Sequence, residues 1–226
     1  MFRYSDTLIV LSNQWIKWIN QAYPENSFSF KVLYNPCPDV RRDFSKRKNI
    51  ILYAGLLNDR KGYNRLIEAF SKVAHLHKNW QLVFAGNGEI DNGQRLAIKL
   101  NIESQVKFLG WVSGNHKEDI FQQASVYCLP SWGEGFPMGV LDAMAYGIPV
   151  VTTPVGGIPD LIEDGVNGFI FDPYDTERLA AKLSELISSS ELRNRLSKDA
   201  DSLVNNEFNI NVINQELADI YDKISK

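Results

Sequence analysis

Glu134 and Asp142 border a segment that mixes glycine, proline and apolar residues as no simple core element requires: Gly135, Phe136, Pro137, Met138, Gly139, Val140 and Leu141 lie between them. Two carboxylates at one cleft can accept hydrogen bonds from vicinal hydroxyls, which is the chemistry of a sugar or ribose site. A plainer arrangement fits the spacing as well, with Glu134 capping a helix and Asp142 bonded to nearby backbone. Pro137 suits the first turn of a helix that would run to about Tyr146, with Gly147 ending it. On that helix Asp142 shares a stripe with Leu141, and a carboxylate on an apolar stripe is costly unless something hydrogen-bonds to it.

Upstream, Gly55-Leu56-Leu57-Asn58-Asp59-Arg60-Lys61-Gly62 leads from a strand-like run into a helix-like one. A helix N-terminus presents free backbone N–H groups and partial positive charge, which suits phosphate. Lys61 would add a mobile point charge for a diphosphate, although read alone it is also an ordinary surface lysine. Gly86-Asn87-Gly88 lets a backbone approach a flat ligand closely, but Gly-x-Gly is usually just a turn. The loop from Thr153 to Asp160, with Gly156 and Gly157, is a second candidate contact for an anion or a ribose, or else plain turn chemistry.

The elements that must hold these loops are short β-branched and aromatic runs alternating with helical periods. The candidate strands are Asn49 to Ala54, Trp80 to Ala85, Val106 to Leu109, Ser125 to Pro130, Pro149 to Thr152 and Gly168 to Phe171. Between the first two, Tyr63, Leu66, Ile67, Phe70, Val73 and Ala74 follow the spacing of one helix face. Ile120, Phe121 and Ala124 form a shorter stripe; Leu179, Ala180, Leu183, Leu186 and Ile187 form a longer one. Near-continuous apolar strands alternating with helices predict an α/β, Rossmann-like parallel sheet covered by helices on both faces. Such sheets bind ligands outside the carboxyl ends of their strands, where the glycine-rich loops fall.

The first forty residues read differently. Thr7 to Leu11 is strand-like with no obvious partner in so short a segment, a Trp-rich helix is expected from Asn13 to Ala22, and the prolines of Val32 to Pro38 suggest a linker. Phe208, Val212, Ile213, Leu217, Ile220, Tyr221 and Ile224 are expected on one face of a C-terminal helix. The charged fraction of 23% and net charge of −3 describe a globular chain of 226 residues without the basic field of a nucleic-acid binder. The basic cluster Arg41, Arg42, Lys46, Arg47 and Lys48 reads as a solvated linker. Cys37 and Cys128 make no disulfide framework and fit reducing conditions, and no apolar run is long enough for a membrane span. Asp199-Ala200-Asp201 lies in a polar helical stretch and offers no metal site. A dehydrogenase is disfavoured because no Gly-x-Gly-x-x-Gly follows the first core strand, and a carboxylate-pair glycosidase leaves Lys61 and the glycine loops without a role.

The run EGFPMGVLDAMAYGIPVVTTPVGGIPDLIEDGVNGFIFDP, from Glu134 to Pro173, resembles the signature of retaining glycosyltransferases of family four, within the glycosyl transferases of group 1. The likeness extends from Asp6 to about Lys198, through AGLLNDRKGYNRLIEAF and KFLGWV. It implies the C-terminal half of a GT-B architecture, in which two Rossmann-like domains face a cleft. Residues 1–38 would be a remnant of the N-terminal acceptor domain with its linker, and residues 39–226 the nucleotide-sugar-binding domain with C-terminal helices. The implied activity is transfer of a sugar from a nucleoside-diphosphate sugar to an acceptor hydroxyl with retention of configuration, this chain supplying the donor site.

The resemblance also assigns roles. Lys61 would contact the donor diphosphate and Glu134 would approach the transferred sugar, which makes these two the catalytic candidates. The backbone of Gly135, Phe136, Pro137 and Met138 would run over that sugar and the phosphates. Asp142 stands where a glutamate normally holds the ribose hydroxyls, Gly55 opens the phosphate loop, Gly86 belongs to the next donor-side loop, and Val112 lies near the base. The family commonly carries an arginine where this chain has Leu56, with Arg60 as the candidate substitute, and Asp142 is one methylene shorter than the usual residue. These departures keep open a second reading, a non-catalytic nucleotide-sugar-binding module or an inactive truncated glycosyltransferase. The implied partners are a nucleotide sugar and a glycan or lipid-linked acceptor held by the absent domain. A homo-oligomer or partner chain is another way to complete the site, and no nucleic acid is implied. No metal or other cofactor is expected. The implied setting is polysaccharide biosynthesis in the cytoplasm, at most peripheral at the inner face of the membrane. His75, His77 and His116 match no family histidine, and the first two are expected to be exposed helix residues.

Overall fold

The computed structural model describes residues 5–224, so residues 1–4 and 225–226, the outer ends of the two expected segments, lie outside the described residues. In chain order the elements are β1 (Leu8–Val10), α1 (Asn13–Ala22), β2 (Phe30–Val32), β3 (Ile50–Ala54), α2 (Tyr63–Ala74), β4 (Gln81–Ala85), α3 (Ile90–Lys99) and β5 (Val106–Phe108). They continue with α4 (Gly114–Gln123), β6 (Val126–Leu129), α5 (Met138–Ala145), β7 (Val150–Thr152), β8 (Gly168–Ile170), α6 (Thr176–Ser188), α7 (Ser190–Leu203) and α8 (Ile210–Ile224).

Strands β3 to β8 form one parallel sheet in the order β5-β4-β3-β6-β7-β8. Every residue from Ile50 to Tyr53 and from Val126 to Leu129 is buried. Successive side chains of a strand point to opposite faces, so both faces of the sheet centre are covered. The apolar face of α2 buries Leu66, Ile67, Phe70, Val73 and Ala74, and each large side chain among them contributes about 1.5–3 kcal/mol of burial. The direction in which successive strands are added reverses between β3 and β6, and the loops leaving those two parallel strands open side by side at the carboxyl edge.

Four sequence expectations change. The opening strand does have a partner: β1 pairs in parallel with β2, Leu8 opposite Phe30 and Val10 opposite Val32, so Val32 belongs to a strand and the linker begins after it. Helix α1 is the crossover that makes this small parallel unit possible; Phe30–Val32 is too short and too shallowly buried to announce itself by pattern. The basic cluster is not simply solvated linker. Arg47 donates through Nη1 to the carbonyls of Phe121, Gln122 and Ala124 at 2.9, 3.2 and 2.5 Å, and through Nη2 to that of Tyr146. Arg42 donates to Ala145 O at 2.7 Å and pairs with Asp201 at 2.5 Å. Two arginines thus satisfy the orphan carbonyls at the ends of α4 and α5. At the C-terminus, Phe208 lies in a wide π turn, Val204–Phe208, before α8 rather than on its face. His75 and His77 sit just past the end of α2, not within it.

Candidate functional site

Lys61 ends a short turn, Asp59–Lys61, whose first N–H groups need a cap. The Asn58 side chain supplies it, accepting from Lys61 N at 2.9 Å. Gly62, with φ +72°, then starts α2. This bend sends the Lys61 side chain across to the loop after β6, where Nζ lies 2.8 Å from both Oε1 and Oε2 of Glu134. The side chains are 19% and 5% exposed. Removing two such charges from water costs several kcal/mol per ion, so the pairing and further hydrogen bonds must offset it. Ser131 donates a hydrogen bond from Oγ to Glu134 Oε1 at 2.5 Å, and its own carbonyl accepts from Thr153 Oγ1 at 2.6 Å.

The loop holding Glu134 is braced from three sides. Arg60 donates to Gly133 O at 2.5 Å, so its side chain is engaged with this loop. Arg65, buried beneath Trp132 with 3.8 Å from guanidinium to ring centroid, donates to Pro173 O at 2.6 Å and to Pro130 O. Behind the loop, Gly157 N donates to Gly135 O at 2.9 Å, and Gly156 has φ +60° with room for no Cβ, which would stand 2.0 Å from Glu134 O. The glycines between Thr153 and Asp160 are therefore committed to backing the Glu134 turn. Phe136 is buried against Tyr34 and Phe208, with centroids at 5.7 and 6.3 Å, and exposed Met138 accepts from Asn35 Nδ2 at 3.3 Å.

Beside this pair is a cavity of about 500 Å³. Gly55 and Gly86 form its floor where β3 and β4 end, Trp111 and Val112 one wall, and Asp142 the wall made by α5. Of the residues expected to contact a ligand, Gly55, Gly86, Val112 and Asp142 line this cavity. Lys61 and Glu134 stand together outside that lining, on the loops that continue from β3 and β6, and Arg60 and Gly135 to Met138 adjoin Glu134. Leu56, at the position noted for its missing charge, is exposed on the cavity rim. Helix α5 comes this close because residue 139 is glycine: a Cβ there would meet Tyr127 Oη at 2.3 Å.

The sequence reading missed Lys117. Its Nζ lies 2.6 Å from Asp142 Oδ2, so the buried carboxylate is bonded to a side chain of α4 and not to nearby backbone. The signal was present, since Lys117 precedes Ile120 and Phe121 at the spacing of one helix stripe. Ser131 was also missed, and so was the anchor of the N-terminal unit. Asp160 Oδ2 accepts from Asn13 N at 2.8 Å and from Tyr34 Oη at 3.4 Å. Burial, with Asp160 adding to it, pushes the Tyr34 phenol up to about 12. Cys128 is fully buried and both cysteines are free. Among the described residues no three His, Cys, Asp or Glu side chains stand close enough to hold a metal ion. No helix among them is long and apolar enough to cross a membrane.

Comparison with known proteins gives the arrangement a relationship. An uncharacterized glycosyltransferase of Methanocaldococcus jannaschii is 32% identical over 92% of this chain and 51% of its own length. The chain spans about half the length of the curated relatives it matches. Among solved structures, Anabaena HepE in complex with UDP superposes with a TM-score of 0.86 at 21% identity, covering 98% of this chain and 65% of that one. The C-terminal domain of a group 1 family protein from Francisella tularensis superposes with a TM-score of 0.68 at 25% identity, over 79% of this chain and 97% of that domain. The six-stranded sheet is thus the Rossmann-like fold of a GT-B half. The model of the family described as glycosyl transferases group 1 matches residues 39–202, and the chain belongs to that family.

Proposed function

We propose that this chain supplies the donor site of a retaining glycosyltransferase, holding a nucleoside-diphosphate sugar for transfer to an acceptor hydroxyl. The observation that carries the reading is the Lys61–Glu134 pair at the sheet's switch point, adjoining a cavity walled by Asp142. The nucleoside would occupy the cavity, with Asp142 at the ribose, Val112 near the base, and Gly55 and Gly86 admitting the phosphates toward Lys61. A lysine has three N–H donors. Two face Glu134 here, and the third remains for a phosphate oxygen. Glu134, held by Lys61 and Ser131, would then stand beside the transferred sugar, with the backbone of Gly135 to Met138 alongside. Catalysis in this scheme is electrostatic, a fixed charge clamp on the leaving diphosphate, with no protein nucleophile.

Residues 39–226 are read as the donor domain and residues 1–38 as the end of an acceptor domain with its linker. The separate β1-α1-β2 unit, joined to the larger sheet through Asp160, supports this division. In this division residues 39–226 bind the donor and efficient transfer depends on the acceptor domain, because positioning the acceptor is worth about 7–11 kcal/mol of barrier in favourable systems. The proposed acceptor is a glycan or lipid-linked sugar, and the proposed setting is the cytoplasm. Calorimetry against UDP-, GDP- and ADP-sugars tests the donor site, and failure of all three to bind would reject it. Glycosylated product formed at several turnovers per minute by a proven monomer would reject the division of labour. The exposed Leu56 at the phosphate loop favours one alternative, a module that binds the nucleotide sugar without turnover. Binding without transfer in the presence of an acceptor domain would select it.

A further inference from the structure

Among the described residues, Lys117 is the one cation that lines the cavity and Asp142 the one anion. They reach across it from α4 and α5 to a separation of 2.6 Å. The two ends are unequal: the Asp142 side chain is 11% exposed, recessed in the wall, whereas that of Lys117 is 44% exposed and its ammonium lies 5.6 Å from the centroid of the Phe121 ring. Packing does not call for a charge here. Lys117 continues the stripe of Ile120 and Phe121, where an apolar residue would extend the same contacts, and a partly buried ion pair is weak evidence of stabilisation. What the pair does offer is a donor and an acceptor side by side, facing an otherwise uncharged cavity.

We propose that Lys117 is a specificity-determining residue that acts with Asp142 to read the adjacent hydroxyls of a ribose. This rests on the assignment of the cavity to a nucleotide. Lys117 engages Asp142 Oδ2, which leaves Oδ1 to accept from one hydroxyl and two ammonium N–H groups to donate. In a cis-diol each hydroxyl both donates and accepts. In the proposed pose the 3′ hydroxyl gives its proton to Asp142 while the oxygen of the 2′ hydroxyl accepts from Lys117. A recessed aspartate alone meets only the first, and the long lysine stem reaches the second from the opposite wall. Removing either hydroxyl leaves Asp142 Oδ1 or a Lys117 N–H facing the ligand unsatisfied, and hydrogen bonds to charged groups discriminate more strongly.

The test is calorimetric binding of UDP, GDP and ADP, and of their 2′-deoxy forms, to the full chain and to Lys117→Met. For whichever base binds, the wild type should prefer the ribonucleotide by about tenfold to a hundredfold. In Lys117→Met the ribonucleotide should weaken by about the same tenfold to hundredfold while the deoxynucleotide, which lacks the 2′ oxygen, changes little, so that the preference collapses. An unchanged preference in the variant overturns the proposal. So does equal weakening of both forms, which would make Lys117 a general attractor of phosphate. Ribonucleotide binding without preference in the wild type defeats the diol reading alone, whereas failure of all three diphosphates to bind the wild type defeats the nucleotide cavity itself. Should Lys117→Met not fold, Lys117→Leu, which likewise has no donor, carries the same comparison.

Discussion

Lys61 Nζ stands 2.8 Å from both carboxylate oxygens of Glu134, although 73 positions separate the two residues in sequence. The pair has two duties that can be measured apart. Lys61→Ala should weaken nucleoside-diphosphate binding by ~1.5–3 kcal/mol, the range for a charged hydrogen bond, and leave free nucleoside binding unchanged in calorimetry. It also leaves a buried carboxylate with Ser131 as its remaining partner, so stability should fall by about 3–5 kcal/mol in urea unfolding. Adding Glu134→Gln should recover part of the stability and none of the binding. Equal loss for nucleoside and diphosphate would show that Lys61 does not read phosphate.

Gly156→Ala tests the brace behind Glu134. The backbone there has φ +60° and a Cβ would stand 2.0 Å from Glu134 O, so the alanine both strains its own residue and pushes the loop forward. A loss of roughly 1–3 kcal/mol is expected from the strain of the left-handed conformation, with diphosphate binding reduced in parallel. Gly165→Ala is the control: it has φ +78° but open space at the Cβ position, so it should cost stability without moving Glu134. Matching binding losses in the two variants would refute the idea.

Arg47 should be irreplaceable by lysine. Its planar fork spans carbonyls at the ends of two helices, and one ammonium cannot reach both sets. Arg47→Lys should cost at least ~1.5–3 kcal/mol, the worth of one charged hydrogen bond, whereas Lys46→Ala, at an exposed surface pair, should cost about 0–1 kcal/mol. Burial lowers the Arg47 guanidinium to about 10, so it remains charged at neutral pH and the comparison is made there. Unfolding free energies that do not separate the two variants would count against this role.

The sheet was legible in the sequence because its strands are buried on both faces, and continuous runs such as Ile50 to Tyr53 leave little else for the chain to do. The extent of α1 was legible too, as the Trp-rich run from Asn13 to Ala22. Lys61 and Glu134 were recognisable as candidates from their loops, but their contact was not, since nothing local encodes a pairing 73 residues apart. Lys117 escaped notice for a different reason: its spacing to Ile120 and Phe121 puts it on their stripe of α4, but nothing local says which partner its long side chain reaches. Arg42 and Arg47 were misread because charge runs are usually solvated, whereas here two helix C-termini needed donors.

Tyr34 ties the N-terminal unit to the larger sheet through Asp160, and its pKa sets a pH window. The folded value of about 12 lies above the ordinary 10, so the neutral phenol is the favoured form in the fold. The stability it contributes is complete below pH 10 and is lost as pH rises toward 12. Wild type should therefore lose stability faster than Tyr34→Phe over that interval. Parallel curves for the two proteins in alkaline chemical denaturation would reject the linkage.

The strand order has a consequence in time. β3 is made early, yet its second neighbour, β6, is the fourth strand of the sheet to leave the ribosome, after β4 and β5. At about 5–20 residues per second, the stretch between Lys61 and Glu134 takes on the order of 4–15 s to synthesise. Through that interval the half-sheet β5-β4-β3 presents the bare flank of β3, a row of unpaired backbone groups on an apolar strand. The part of the molecule proposed to hold the diphosphate thus closes only after β4 and β5 have been made, and until then the nascent chain is exposed to wrong pairing along the seam where its site will form.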